Sequence, residues 1–126
     1  MAKILVAEDE THIADMISFK LSNAGHRVVR AHDGEEAMTL AALELPALIL
    51  LDAMMPGLSG FEVLRRLKAD AVLRGVPVIM VTAKGQERDV VTGLREGATD
   101  YIVKPFSLKE LAARVELVLQ RGPTPP

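Results

Sequence analysis

The stretch Ala47-Leu-Ile-Leu-Leu-Asp52 decides the fold of this chain of 126 residues. Its apolar residues follow one another without polar alternation, which is typical of a strand covered on both faces in a parallel sheet. Residues 4–7 and 76–81 have the same character, while residues 26–31 and 100–103 are more mixed and are predicted to be shorter or edge strands. We therefore predict a sheet of five strands.

Helical patterns separate these strands. The first helix has apolar residues at three- and four-residue steps and stops at Gly25, which suits the left-handed conformation after a helix end. The fourth helix, predicted over residues 86–95 and ending at Gly97, has the weakest pattern. The other three begin with a capping box, namely Asp33 with Glu36, Ser59 with Glu62, and Ser107 with Glu110. Five alternating strands and helices imply right-handed βαβ units and a doubly wound α/β fold.

Composition excludes several classes of function. The chain is 49% apolar but only 3% aromatic, so we expect a core of aliphatic side chains. Its formal charge of −2 offers no basic surface, and we expect no direct binding to nucleic acid. Disulfides and thiolate sites are excluded because there is no cysteine. No signal peptide or long apolar run is visible, so we expect a cytoplasmic protein without a membrane segment.

One domain is predicted over residues 1–121, since no internal stretch has the composition of a linker. The last residues, Gly122-Pro-Thr-Pro-Pro126, cannot continue a helix. We expect them to be a disordered tail or the first residues of a linker.

Polar side chains follow the predicted strands: Glu8 and Asp9 the first, Asp52 the third, Thr82 the fourth and Lys104 the fifth. Ligands of parallel α/β sheets bind beyond these carboxyl ends. In the common order 2-1-3-4-5, Asp52 would have the acidic pair on one side and Thr82 on the other. Lys104 would be two strand intervals away, a gap that only a long side chain can cross.

Three neighbouring carboxylates repel one another and raise their pKa values unless a cation neutralises them. With oxygen ligands only, we expect a hard ion, Mg²⁺. A carboxylate can attack phosphorus and form an aspartyl phosphate. Phosphoryl transfer needs positioning and neutralisation of charge, which a divalent ion, an ammonium and a hydroxyl group supply. The predicted set of Asp52, Thr82 and Lys104 with an acidic pair matches these needs.

Three stretches resemble the landmarks of the receiver family of two-component response regulators: Asp52-Ala-Met-Met-Pro-Gly-Leu-Ser-Gly60, Val81-Thr-Ala83 and Tyr101-Ile-Val-Lys-Pro-Phe106. The similarity runs from Lys3 to about Gln120, and the 30-residue step from Asp52 to Thr82 and the 22-residue step to Lys104 fit the family jointly. The resemblance implies a flavodoxin-like receiver fold, a five-stranded parallel sheet in the order 2-1-3-4-5 with five helices.

The resemblance also implies the residue roles. Asp52 would be the phosphoacceptor, and Thr82 and Lys104 would hold the phosphoryl oxygens. The metal ligands would be Asp9, Asp52 and the backbone carbonyl of Met54 directly, with Glu8 acting mainly through a water molecule.

The family switch would couple the Thr82 hydroxyl to Tyr101, which turns inward when the phosphoryl group recruits Thr82. Lys104–Pro105 would be a cis peptide. Met54 and Lys84, each two residues after a site residue, are expected to influence autodephosphorylation.

The resemblance implies protein partners. A sensor histidine kinase or a histidine phosphotransfer protein would donate the phosphoryl group, and a downstream protein or a C-terminal output domain would receive the signal. The chain would be a monomer or a phosphorylation-dependent dimer. Regulators with a winged-helix output domain carry charged pairs on the face of helix 4, strand 5 and helix 5. Asp100, Glu110 and Arg114 fit that pattern, whereas Val90 and Thr99 stand where charges are expected.

Three alternatives stay open. Small aspartyl-phosphate hydrolases use a similar set of groups, but they place a second aspartate where this chain has Met54. We therefore expect no enzyme activity beyond the chain's own phosphorylation and autodephosphorylation. A phosphorylation-independent interaction module would lack one of the site residues, and none is missing. The chain could also be the receiver part of a longer regulator.

Overall fold

The computed structural model describes residues 1–83 and 87–123. Strands and helices alternate along the chain, as predicted. The strands are β1 (Lys3–Ala7), β2 (Arg27–Ala31), β3 (Leu48–Asp52), β4 (Val78–Ala83) and β5 (Asp100–Lys104). The helices are α1 (Thr11–Asn23), α2 (Gly34–Glu44), α3 (Gly60–Ala69), α4 (Glu87–Arg95) and α5 (Leu108–Arg121). The predicted first residue of the fourth helix, Gln86, lies outside the described residues.

The strands form one parallel sheet in the order β2-β1-β3-β4-β5, which confirms the order implied by the resemblance. The central strand β3 pairs with β1 and β4, with Leu5 opposite Ile49 and Leu51 opposite Met80. This doubly wound arrangement brings the carboxyl ends of β1, β3, β4 and β5 to one edge.

Two hydrophobic clusters cover the two faces of the sheet. Ile49 and Leu51 of β3 belong to the cluster that α2 and α3 help to form, whereas Leu48 and Leu50 belong to the cluster under α1 and α5. Every residue of β3 is buried, as the unbroken apolar run predicts. A shift of β3 by one residue would exchange the side chains that face the two clusters, so packing on both faces helps to fix the register and the position of Asp52.

The helix starts that the capping signals predict are confirmed. The N-cap side chains of Asp33, Ser59 and Ser107 each accept a hydrogen bond from the backbone N–H three residues later, at 2.8, 3.3 and 2.9 Å. Gly25 follows α1 with a φ of +92°. These local contacts set where α2, α3 and α5 begin, and so the lengths of the loops at the sheet edge.

Three strands, β3, β4 and β5, are longer at their carboxyl ends than predicted, and β5 includes Lys104. Asp52 pairs with Val81 and Thr82 pairs with Val103, so both polar residues lie within strands and not after them. β4 begins only at Val78, since proline at position 77 has no N–H to donate to a neighbouring strand.

Gly60 allows α3 to begin directly against the end of β3. A Cβ atom there would lie 2.1 Å from the carbonyl oxygen of Asp52, far inside contact distance. The Gly60 N–H donates to the carbonyl of Ala53 at 3.1 Å, which closes the loop between β3 and α3. Across the described ranges, no helix combines the length and the apolar character needed to cross a membrane.

Candidate functional site

The buried polar residues of the described chain lie together at the carboxyl edge of the sheet. Glu8, Asp52 and Thr82 are only 2%, 4% and 2% exposed. Glu8 follows β1, Asp52 ends β3 and Thr82 lies near the end of β4. Burying polar groups in an aliphatic domain is costly, so their concentration at one edge points to a functional site.

Lys104 completes this edge from β5. Its Nζ atom lies 3.0 Å from Glu8 Oε1, 3.1 Å from Asp52 Oδ2 and 3.4 Å from Glu10 Oε1. The side chain thus spans the width of β4 to reach the carboxylates, as the sequence predicts. One ammonium group faces three carboxylates, so the site carries excess negative charge.

The pKa values at the site reflect this crowding. Burial, followed by the hydrogen bond and the charge of Asp52, raises the pKa of Glu8 to about 8. Burial alone would lower the pKa of Lys104, but the hydrogen bonds and charges of Glu8 and Asp52 outweigh it and raise that pKa above the ordinary value. A cation held by these carboxylates would favour their charged forms and so lower the pKa of Glu8.

Three acidic residues are placed to hold such a cation. Carboxylate oxygens of Glu8, Asp9 and Asp52 all lie within 4.8 Å of one another. Asp9 is exposed at the mouth, whereas the other two are buried. The set consists of hard oxygen donors, which suit Mg²⁺. The backbone of Met54 is held beside them, because its N–H donates to Asp52 Oδ1 at 3.0 Å.

Thr82 presents an unused hydroxyl group. Its Oγ1 atom is buried and has no hydrogen-bond partner among the residues that the structure describes. A buried polar atom left unpaired costs about 1–3 kcal/mol. The hydroxyl is therefore available to an oxygen atom brought to this edge by a ligand.

Tyr101 lies on β5, the strand next to the one that carries Thr82. It is half-buried, packs against the cluster that contains Leu51 and Met80, and pairs with Met80 in the sheet. It also lines a cavity of about 360 Å³ together with Lys104 and Arg114. The peptide bond between Lys104 and Pro105 is cis, as the resemblance implies.

The structure brings the carboxylates of Glu8, Asp9 and Asp52 together and places Lys104 in contact with two of them. Thr82 and Tyr101 lie on β4 and β5. Lys84, expected to influence autodephosphorylation, lies outside the described residues. Sequence reasoning missed Glu10, whose carboxylate contacts Lys104. The available signal was its position directly after the predicted acidic pair.

The face formed by α4, β5 and α5 carries paired charges. Arg114 contacts Asp100 and Glu110, each at 3.2 Å. Thr99, which stands where a charge was expected, serves the fold, since its hydroxyl accepts a hydrogen bond from the Val78 N–H at 3.3 Å. Val91 is exposed on α4, whereas Val90 is half-buried.

Comparison with known proteins agrees with this geometry. The response regulator receiver domain family matches residues 4–116. The phosphate regulon transcriptional regulatory protein PhoB of Escherichia coli (strain K12) is 47% identical over 119 residues, covering 94% of this chain and 52% of that protein. The alkaline phosphatase synthesis transcriptional regulatory protein PhoP of Bacillus subtilis (strain 168) is 45% identical over 120 residues, covering 95% of this chain and 49% of that protein. The chain spans about half the length of these curated relatives.

Solved structures give the same result. The receiver domain of the Francisella response regulator 1452 is 36% identical, with a TM-score of 0.89, and the match covers 96% of this chain and 98% of that one. Fold, site geometry and sequence similarity thus converge. The chain belongs to the response regulator receiver domain family and is the receiver domain of a two-component response regulator.

Proposed function

We propose that this receiver accepts a phosphoryl group on Asp52, with Mg²⁺, from a sensor histidine kinase or a histidine phosphotransfer protein. One observation carries the proposal: the Asp52 carboxylate lies within 4.8 Å of ligand oxygens of Glu8 and Asp9 and 3.1 Å from the Lys104 ammonium. The unpaired hydroxyl of Thr82 on the next strand adds a donor for a phosphoryl oxygen.

The proposed transfer is a substitution at phosphorus. An oxygen atom of the Asp52 carboxylate forms a bond to phosphorus while the bond from phosphorus to the donor's imidazole nitrogen breaks. The imidazole leaves with the electron pair, and Asp52 becomes an acyl phosphate. The Lys104 ammonium and the Thr82 hydroxyl would then donate hydrogen bonds to the phosphoryl oxygens. These bonds would stabilise the negative charge of the transferred group.

The acidic cluster supports the magnesium part of the proposal. Glu8, Asp9 and Asp52 offer carboxylate oxygens close enough to share one ion, and the Met54 carbonyl would complete the ligand set. A bound Mg²⁺ would neutralise negative charge on the carboxylates and on the transferring group.

The switch is proposed to run from Thr82 to Tyr101. A phosphoryl group on Asp52 would draw the Thr82 hydroxyl toward it, which favours an inward position of Tyr101 on the neighbouring strand. The movement of Tyr101 would change the face formed by α4, β5 and α5, which we propose as the output surface. Exposed Val91 and the Arg114 charge network lie on it.

The relatives favour an output in transcription. The curated relatives are transcriptional regulatory proteins about twice the length of this chain. We infer that this receiver is part of such a regulator, acting in the cytoplasm, as a monomer or a phosphorylation-dependent dimer, with nucleic acid contacted by an output domain and not by the receiver.

We infer that catalysis is limited to the chain's own phosphorylation and dephosphorylation. The position where related hydrolases place a second aspartate is occupied by Met54, whose side chain is largely exposed and has no acidic group. Incubation with p-nitrophenyl phosphate and Mg²⁺ tests this inference. Steady release of nitrophenol above that of the Asp52→Asn variant would contradict it.

Intact mass measurement tests the proposed function. The wild type and Asp52→Asn are treated with acetyl phosphate, each with and without Mg²⁺. A phosphate-sized gain that needs both Asp52 and Mg²⁺ supports the proposal. A gain that persists in Asp52→Asn would place the acceptor elsewhere, and no gain from either acetyl phosphate or a phosphorylated kinase would refute the proposal.

A further inference from the structure

We propose that Glu10 is a positioning residue of this site. Glu10 holds the Lys104 side chain while Asp52 is unphosphorylated and releases it to the phosphoryl group. The inference rests on the proposed function, because it assigns a role within the same site. It gives Glu10 control over how readily the site accepts phosphate.

Three carboxylates surround the ammonium group of Lys104. Its Nζ atom is met by Glu8 Oε1 at 3.0 Å, Asp52 Oδ2 at 3.1 Å and Glu10 Oε1 at 3.4 Å. An ammonium group has three N–H donors, and that of Lys104 donates hydrogen bonds to Asp52 and Glu10 while its charge also faces Glu8. A phosphoryl oxygen that binds Lys104 therefore competes with these carboxylates for the ammonium.

Glu10 is the partner that withdraws at least cost. The side chains of Glu8 and Asp52 are 2% and 5% exposed, whereas that of Glu10 is 60% exposed. A buried carboxylate that lost its partner would be left without water, but Glu10 would simply become hydrated. Its contact with Nζ is also the longest of the three.

The start of α1 directs Glu10 toward Lys104. Glu10 is the N-cap residue of α1, yet its side chain caps no backbone N–H. Asp33, Ser59 and Ser107 do cap their helices. The Glu10 N–H instead donates to Glu8 Oε2 at 3.2 Å, which fixes its backbone at the site mouth. The Glu10 side chain therefore does not cap α1 and contacts Lys104.

An exposed carboxylate at the mouth has two effects on an anionic donor. It occupies Lys104, and it repels the approaching phosphate. Replacing it by the neutral amide of glutamine should speed phosphorylation by acetyl phosphate about threefold to tenfold at low ionic strength. Salt screens exposed charges, so the advantage should shrink as NaCl rises toward about 1 M.

The experiment measures phosphorylation rates by intact mass at saturating Mg²⁺, in low and high NaCl. The variants are Glu10→Gln, Glu10→Asp and Asp15→Asn. Asp15 is a matched control, because it is a carboxylate on α1 with 59% side-chain exposure that pairs with Arg30 and not with Lys104. Thermal unfolding confirms that each variant is folded.

We expect faster phosphorylation in Glu10→Gln but not in Asp15→Asn, and we expect this gain to disappear in high salt. Glu10→Asp should keep the salt dependence of the wild type. Equal rates in the wild type and Glu10→Gln, or an equal gain in Asp15→Asn, would overturn the role of Glu10 and leave the proposed function intact. A wild type that gains no phosphate from any donor would overturn both.

Discussion

The ammonium of Lys104 lies 3.1 Å from the carboxylate of Asp52, although β4 separates the strands that carry them. Two strand intervals amount to about 10 Å, so the lysine side chain must lie across the end of β4. The contact joins the central strand to the edge strand that carries Tyr101. We therefore propose that a change at Asp52 reaches the α4, β5 and α5 face through Lys104 as well as through Thr82.

Lys104→Met should slow phosphorylation by acetyl phosphate about 10- to 100-fold, because it removes a charge-assisted hydrogen bond to the phosphoryl group. Methionine keeps the length of the side chain and its apolar contacts. Lys109→Met is the control, since Lys109 is exposed on α5. Rates are measured by intact mass at saturating Mg²⁺. An unchanged rate in Lys104→Met would show that Lys104 does not assist phosphorylation.

Mg²⁺ should stabilise the folded chain, because it binds the native carboxylate cluster and not the unfolded chain. At a hundred times its dissociation constant we expect a rise of about 5–10 °C in the unfolding temperature. Asp9→Asn should lose more than half of this rise, whereas Asp15→Asn should keep it. Calorimetry with Mg²⁺ and then with excess EDTA measures both, and an equal rise in Asp9→Asn would argue against the cluster as the binding site.

Thr82→Val should raise the free energy of unfolding by about 1 kcal/mol, because a methyl group replaces a buried hydroxyl that has no partner among the described residues. The matched variant Thr99→Val should lower it by about 1 kcal/mol, since the Thr99 hydroxyl accepts a hydrogen bond from the Val78 N–H. Urea unfolding distinguishes the two. A destabilised Thr82→Val would mean that its hydroxyl is satisfied in the free protein.

Gly60→Ala should destabilise the fold by about 3 kcal/mol or more, because its Cβ would collide with backbone atoms of Asp52 and Ala53. Gly93→Ala on α4 should be neutral or stabilising by up to about 1 kcal/mol, since its nearest neighbour is the flexible Met80 side chain at 3.4 Å. Thermal and urea unfolding provide the comparison. Equal stabilities would show that the end of β3 can move away from α3.

Leu45→Asn should stabilise the fold by about 0.5–1 kcal/mol, because Leu45 has a φ of +46° and asparagine tolerates this left-handed conformation better. Leu45 is 57% exposed, so little packing is lost. Leu43→Asn, within α2 and 72% exposed, should instead destabilise by about 0.5 kcal/mol through helix propensity. If both substitutions change stability in the same direction, the backbone at Leu45 is not strained.

Local patterns accounted for most of the fold. The apolar run before Asp52 predicted a strand buried on both faces, and β3 is buried throughout. The capping boxes at Asp33, Ser59 and Ser107 predicted three helix starts that the structure confirms. These signals are readable because each depends on residues close together in the chain. Strand ends were less accurate, since the pairing of Thr82 with Val103 depends on a partner strand distant in sequence.

By itself, the sequence determined the alternation of strands and helices and the residue types at the carboxyl ends, because burial and capping act over a few residues. Only the tertiary structure decided the distances at the site. The contact of Lys104 with Glu10, 94 residues away, and the lack of a partner for the Thr82 hydroxyl among the described residues both depend on elements that are distant along the chain but meet at one edge of the sheet. Side-chain reach, burial and competition for a shared ammonium depend on that packing, and no local pattern encodes them.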